Sequence, residues 1–159
     1  MIRLEPMTQA RYEVWLDATM REYADEKVAS GNYPAEGALE RSKAEFDILL
    51  SNGLQTTGHE IRSMIDEAGE AVGYVWFTQE DRPVGRVVFI YDIAVDPEHR
   101  RKGHAQAALV EVEQYASANG CLGVMLHVFG SNAGARQLYL RAGYEETNVM
   151  MLKRVNAAS

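Results

Sequence analysis

One turn between a predicted strand and a predicted helix reads Val95-Asp96-Pro97-Glu98-His99-Arg100-Arg101-Lys102-Gly103-His104-Ala105-Gln106. Its three consecutive cations, Arg100, Arg101 and Lys102, stand where the helix dipole is already positive and acidic residues are normally favoured. A bound anion would offset this positive charge. Free backbone N–H groups at a helix start bind phosphate, and Gly103 and Ala105 keep side-chain bulk away from them. The turn therefore predicts a phosphate site, with a solvated basic turn as the alternative.

The elements around this turn predict an α+β fold with helices packed on a sheet. Apolar residues at three- and four-residue steps indicate a helix from Thr8 to Ser30 and a second helix that ends before Asn52. Runs rich in valine, isoleucine and aromatic residues then indicate three antiparallel strands, over 60–66, 71–78 and 86–95. The remaining chain predicts a helix over 102–118, a strand over 122–129, a helix over 132–141 and a last strand or hairpin over 144–155. The predicted order is ααβββαβαβ.

Composition limits the classes of protein to which the chain can belong. Its 159 residues, 47% hydrophobic and 25% charged, suit one globular domain over residues 1–159. The 16 Lys and Arg against 23 Asp and Glu give a net charge of −7, which argues against nucleic acid or an anionic membrane as a partner. A single cysteine, Cys121, excludes an intrachain disulfide, and no apolar run reaches the roughly 18 residues of a membrane span. We expect a cytoplasmic protein with a cationic partner.

A second group of polar residues lies at the start of the predicted helix over 132–141. Asn132 occupies the N-cap position. The step from Asn132 to Tyr139 turns a helix by roughly 700°, two turns less about 20°. Asn132, Ala135 and Tyr139 therefore share one helical face, with a small residue between two polar ones. This face suits a long ligand lying along the helix. The alternatives are a plain cap for Asn132 and a half-buried core aromatic for Tyr139.

Together the two motifs resemble those of the GCN5-related N-acetyltransferases. The shared pattern is Arg100-x-x-Gly103-x-Ala105 after Ile93-Ala94-Val95, followed by Asn132-x-x-Ala135-x-x-Leu138-Tyr139. The resemblance runs from about residue 59 to the C-terminus, and the N-terminal helix pair with residues 89–92 resembles an uncharacterised bacterial branch of the family. It implies a mixed, mainly antiparallel central sheet flanked by helices, with a splayed strand pair that receives acetyl-CoA.

The resemblance also implies a cofactor site. Acetyl-CoA is expected as co-substrate, with its pyrophosphate on the turn and its pantetheine arm paired to a strand that splays from its neighbour. The residues expected to bind it are Ile93, Ala94, Val95, Arg100, Arg101, Lys102, Gly103, His104, Ala105, Gln106, Asn132, Ala135 and Tyr139. No metal is expected, because His59, His99 and His104 lack the spacing of a metal site.

Amine attack on a thioester requires a neutral amine, stabilisation of the oxyanion and a proton for the leaving thiolate. Tyr139 matches the family's general acid, since a phenol of pKa about 10 is protonated at neutral pH. A backbone N–H in Ile93–Val95, near an expected bulge, would polarise the acetyl carbonyl.

Two residues are candidates for the base. His127, on the strand over 122–129, resembles in position the catalytic glutamate of the ribosomal-protein N-terminal acetyltransferases, and histidine titrates near neutrality. Asp92, on the other splayed strand, would need its pKa raised by burial. We favour His127 on the sequence, with Asp92 as the rival.

The acceptor is expected to be a primary amine of a small molecule, a protein N-terminus or a lysine. Four carboxylates on the N-terminal helices either attract that amine or form a solvated helix face: Glu22, Asp25, Glu26 and Glu36. A homodimer is one assembly to test. The rival functions are a non-catalytic acyl-CoA-binding module and a phosphate-metabolite binder.

Overall fold

Five strands form one sheet in the computed structural model, which describes residues 1–155. The strands, in their order across the sheet, are β1 (Arg3–Pro6), β2 (His59–Ile65), β3 (Ala71–Arg82), β4 (Gly85–Val95) and β5 (Val124–Leu126). The helices are α1 (Gln9–Ala29), α2 (Ala38–Leu49), α3 (His104–Ala118) and α4 (Ala133–Arg141). Strands β1 to β4 pair antiparallel, and β5 pairs with β4 in parallel. The predicted α+β class, with a mixed and mainly antiparallel sheet, is confirmed.

Helix α1 begins and ends within one residue of the predicted limits, Thr8 and Ser30. The Thr8 side chain accepts a hydrogen bond of 3.3 Å from the Arg11 backbone N–H, which caps the helix start. Ser30 closes the last turn, and Gly31 follows with a φ of +79°, a conformation that glycine adopts without strain. The buried residues Tyr12 and Trp15 lie on the face that packs against the sheet.

The two faces of β3 belong to different cores. Trp76 packs with Trp15 and Phe46 on the face covered by α1 and α2. Val75 and Phe77 point to the opposite face, into the core under α3. Burying each large apolar side chain contributes about 1.5–3 kcal/mol, so both helical layers are held to the sheet by this alternation.

Strands β4 and β5 separate after a short parallel ladder. Their Cα partners run from Val88↔Val124 to Ile90↔Leu126, and β4 then continues to Val95 paired only with β3. A bulge lies where the strands part, because Trp76 is opposite Asp92 while Phe77 is opposite Ile90, leaving Tyr91 as the extra residue. The splayed strand pair and the bulge are therefore present as expected.

Two predicted elements need correction, and one strand was not predicted. The strand predicted over 122–129 is only β5, and the chain leaves the sheet after Leu126. The last strand or hairpin predicted over 144–155 is wrong, since residues 144–155 are neither helix nor strand. Its apolar residues suggested a strand, but Met150 is 95% exposed and pairs with no strand among residues 1–155. Strand β1 was missed because its four residues, at the sheet edge, include Pro6 and give too short a pattern to read.

Candidate active site

The basic turn has the backbone geometry of an anion cradle. Arg101 has a φ of +63°, unique among the non-glycine residues described, and Gly103 follows with +79°. A left-handed residue with a side chain costs roughly 1–2 kcal/mol, and such strain concentrates at functional sites. The first helical bond of α3 runs from the Ala107 N–H to the Gly103 carbonyl over 3.1 Å. The preceding N–H groups, from His104 to Gln106, therefore have no partner within the helix.

The three cations of the turn divide into two roles. The Arg100 Nε donates to the Val95 carbonyl at 3.0 Å, so this side chain closes the turn onto the end of β4. Arg101 and Lys102 are exposed, and a Cβ added to Gly103 would meet nothing within 4 Å. The space in front of the α3 N-terminus is therefore open and is flanked by two exposed positive charges.

The start of α4 places its predicted residues on one side of the helix. The Asn132 Oδ1 accepts a 3.2 Å bond from the Ala135 N–H, so Asn132 caps the helix as its position indicated. Asn132 is exposed, whereas Ala135 and Tyr139 are half-buried. Tyr139 packs against the core under α3, and the centroids of the Tyr139 and Tyr144 rings are 6.0 Å apart.

The bulge at Tyr91 decides where the Asp92 side chain points. Ile90 and Ile93 both contact the core under α3, so the residues between them occupy the α1 side of β4. Tyr91 packs there on Trp76, with ring centroids 4.7 Å apart. Without the bulge, strict alternation would turn Asp92 toward α3.

Asp92 is a carboxyl whose ionisation is opposed by its surroundings. Burial raises its pKa from the ordinary 3.8 to about 6, and the charge of Glu22 acts in the same direction. The Tyr74 hydroxyl opposes both by donating a 2.7 Å hydrogen bond to Oδ2. A carboxyl with this pKa is ionised at neutral pH and is a much better proton acceptor than an ordinary aspartate.

Tyr139 lies within the electrostatic reach of Asp92. Burial raises the pKa of Tyr139 to about 12, and the charge of Asp92 adds to that rise. The phenol is therefore protonated at neutral pH. Two of the residues predicted for catalysis, one from β4 and one from α4, therefore lie close enough for the charge of one to act on the other.

His127 is placed differently from the prediction. It follows the end of β5, outside any strand, and is exposed. Its ring lies 5.0 Å from that of Phe129. The strand prediction failed here because the mainly apolar run Met125-Leu126-His127-Val128 is typical of a strand, yet β4 and β5 have already diverged at this point.

The acidic residues of the N-terminal helices also divide. Glu22 and Asp25 on α1 are exposed, and so is Glu36, which lies in the loop before α2. Glu26 is half-buried, and burial followed by the charges of Glu22 and Asp92 raises its pKa to about 7. Glu22 and Glu26 therefore face Asp92 across the space under α1.

Tyr74 was not predicted as a functional residue. Its sequence context, two positions before Trp76 in an apolar strand, indicates only a core aromatic. Its contact with Asp92 depends on the register of β3 against β4, which no local pattern specifies.

Within residues 1–155, three metal-ligating side chains are nowhere grouped closely enough to hold an ion. None of the helices described there is both long and apolar enough to span a bilayer.

Comparison with known families agrees with this geometry. A model of the acetyltransferase (GNAT) family matches residues 13–144. The chain belongs to the GNAT acetyltransferase family. It is an N-acetyltransferase, and the expected resemblance is confirmed.

Relatives match this GNAT enzyme along almost its whole length. The Bacillus subtilis protein YycN, an uncharacterized N-acetyltransferase, is 36% identical over 154 residues, covering 97% of this chain and 99% of YycN. The YycN crystal structure superposes with a TM-score of 0.90, covering 98% of this chain and 99% of that one. Another B. subtilis uncharacterized N-acetyltransferase, YdgE, is 29% identical and covers 96% of this chain and 97% of its own.

A more distant structure shows the same fold. The aminoglycoside N-acetyltransferase AAC(6')-Iy, solved in complex with CoA, is 19% identical, with a TM-score of 0.59 over 99% of this chain and 96% of that one. At this identity the likeness concerns the fold.

Proposed function

We propose that this GNAT enzyme transfers the acetyl group of acetyl-CoA directly to a primary amine, on a small molecule, a protein N-terminus or a lysine. We further propose that residues 1–159 form one acetyltransferase domain. The observation that carries the proposal is the edge of β4, which is free of β5 from Tyr91 to Val95 and leads straight into the basic turn.

The residues present fit acetyl-CoA. Its negatively charged pyrophosphate suits Arg101, Lys102 and the free N–H groups at the start of α3, since the open space over Gly103 lets a phosphate approach the backbone. The edge of β4 over Ile93–Val95 offers backbone groups to the amide-containing pantetheine arm. The neighbour AAC(6')-Iy was solved in complex with CoA, which supports acetyl-CoA as the co-substrate. The bound co-substrate would supply the activated acetyl thioester.

For the base we propose Asp92 in place of His127. The pKa of Asp92, raised by burial to about 6, meets the condition that the sequence left open. Asp92 also lies beside the opening, and its charge acts on Tyr139. His127, by contrast, is exposed beyond the end of β5. His127 as the base stays a prediction that the pH profile described below tests.

For the proton donor we propose Tyr139. Its phenol holds a proton at neutral pH, and its pKa is raised partly by the negative charge of Asp92. When Asp92 takes up the proton of the amine, that charge disappears. The pKa of Tyr139 then falls, so the phenol becomes a better donor at the moment when the leaving sulfur requires a proton.

Incubation of the enzyme with acetyl-CoA and a panel of amines tests the proposal. The panel comprises an alkyl diamine, an aminoglycoside, a peptide with a free N-terminus and a blocked peptide with one lysine. We expect thiol release matched by one acetylated product, identified by mass spectrometry. Acetyl-CoA binding without thiol release from any amine would instead favour the non-catalytic acyl-CoA-binding module.

A charge-reversal pair provides the control for the cofactor site. The double variant Arg101→Glu/Lys102→Glu should weaken acetyl-CoA binding in calorimetry. Lys153→Glu/Arg154→Glu makes the same charge change at two adjacent exposed cations outside the turn and should bind normally. Equal loss in both doubles would show that only the net charge matters, and would refute the turn as the site.

A further inference from the structure

The Tyr74 hydroxyl is the side-chain group that holds the Asp92 carboxylate. Trp76 lies directly opposite Asp92 in the β3–β4 register, so Tyr74 is its diagonal neighbour on the same face, a separation that a tyrosine side chain spans. The resulting hydrogen bond, 2.7 Å from the Tyr74 oxygen to Oδ2, is short and has a charged acceptor. Such bonds are stronger than those between neutral groups.

The other side chains that face Asp92 carry or acquire negative charge. They come from two elements: Glu22 and Glu26 from α1, and Tyr139 from α4. The groups that favour the carboxylate are the Tyr74 hydroxyl and, to a smaller extent, the Ile93 backbone N–H. Since the backbone is fixed by the bulge, Tyr74 is the side chain that offsets the repulsion.

The Tyr74 ring is itself held in place. It packs edge-on against Trp15, with ring centroids 5.7 Å apart and planes at 70°. Burial and the neighbouring Asp92 raise its pKa well above that of a free phenol. The hydroxyl is therefore protonated, and able to donate, throughout the pH range in which Asp92 titrates.

We propose that Tyr74 is a positioning residue for acetyl transfer, whose hydroxyl orients the Asp92 carboxylate toward the opening and favours its ionised form. This inference rests on the proposed role of Asp92 as the base. Removal of the hydroxyl leaves the carboxylate with repulsive neighbours and no side-chain donor, so Asp92 ionises at a higher pH.

Tyr74→Phe tests this inference, because it removes the hydroxyl and keeps the ring against Trp15. We expect the acidic limb of the pH profile of kcat/KM to move upward by about one unit or more. Activity well above the shifted limb should fall much less. Tyr115→Phe is the matched control, since Tyr115 is also half-buried and hydrogen-bonded, to Gln79 at 3.0 Å, but it lies on the α3 side of the sheet.

A second measurement makes the result independent of activity. The carboxyl carbon of Asp92, assigned by its loss in Asp92→Asn, can be titrated by ¹³C NMR in wild type and in Tyr74→Phe. An upward shift in the variant supports the inference even if no amine is acetylated, an outcome that would refute only the proposed function. An unchanged or lower pKa of Asp92 in folded Tyr74→Phe overturns the inference, whatever the enzyme's activity.

Discussion

Replacing Asp92 by asparagine should make the protein more stable at neutral pH. The folded protein holds the Asp92 proton more tightly than the unfolded chain, with a pKa of about 6 against an ordinary 3.8. Ionisation of Asp92 therefore lowers the free energy of unfolding. The loss is close to zero below about pH 4, grows between about pH 4 and pH 6, and is complete above that range. Asparagine carries no charge and can still accept the Tyr74 hydrogen bond, so it avoids this cost.

The expected gain follows from the size of the pKa change. A rise of about two units corresponds to roughly 3 kcal/mol at pH 7, which is an upper limit because Asp92 is only partly buried. We expect about half of it, or an increase in Tm of about 3–6 °C for a chain of this length. Asp92→Asn should at the same time lose activity, because it removes the proposed base; a gain in stability at the expense of activity is common at functional sites.

Thermal and denaturant unfolding of wild type and Asp92→Asn at about pH 3.5 and pH 7 measures the change in stability at each pH. The gain should be present at pH 7 and absent at the lower pH. Asp25→Asn, which neutralises an exposed carboxyl on α1, is the control and should change stability little at either pH. A variant less stable than wild type at pH 7, or equally stabilised at both pH values, would refute the reasoning that burial holds Asp92 in a costly ionised state.

Three further predictions concern the remaining parts of the site. Arg101→Gly removes a left-handed side-chain residue and should hold or raise Tm while weakening acetyl-CoA binding, as calorimetry and melting would show; unchanged affinity would exclude a role for this side chain. Tyr139→Phe should lower kcat by roughly 10²-fold with little change in acetyl-CoA affinity, whereas loss of affinity alone would make it a binding residue. Gly73→Ala places a Cβ 2.4 Å from the Ala94 carbonyl oxygen and should destabilise the protein by about 1–3 kcal/mol, while a neutral effect in denaturant unfolding would contradict this close contact.

The elements with local signals were predictable from the sequence. Thr8 and Gly31 mark the ends of α1, and the apolar runs locate β2, β3 and β4 to within a few residues. The basic turn was recognised from its own cations and its glycine. The start of α4 was recognised from the capping residue Asn132. Such features can be predicted because neighbouring residues in the sequence determine the backbone conformation around them.

The features set by long-range pairing were not predictable. A strand pattern over 144–155 needs a partner edge, and the pairing of β5 with β4 ends too early to make His127 part of the sheet. Asp92 acquires its raised pKa because a bulge turns it to the α1 side and the register brings Tyr74 beside it. The bulge was expected only in connection with the acetyl-CoA site that the resemblance implies, and the register leaves no mark in the local sequence.

The central claim, that Asp92 accepts the proton of the amine, is tested most directly by the pH dependence of kcat/KM in wild type, His127→Ala and Asp92→Asn with one amine. We predict that wild type and His127→Ala share a rise with its midpoint near pH 6, and that Asp92→Asn lacks it. The titration of the amine itself, near pH 10 for an alkylamine, gives a separate later rise in all three. Loss of the lower rise in His127→Ala, with its retention in Asp92→Asn, would contradict the account and make His127 the base.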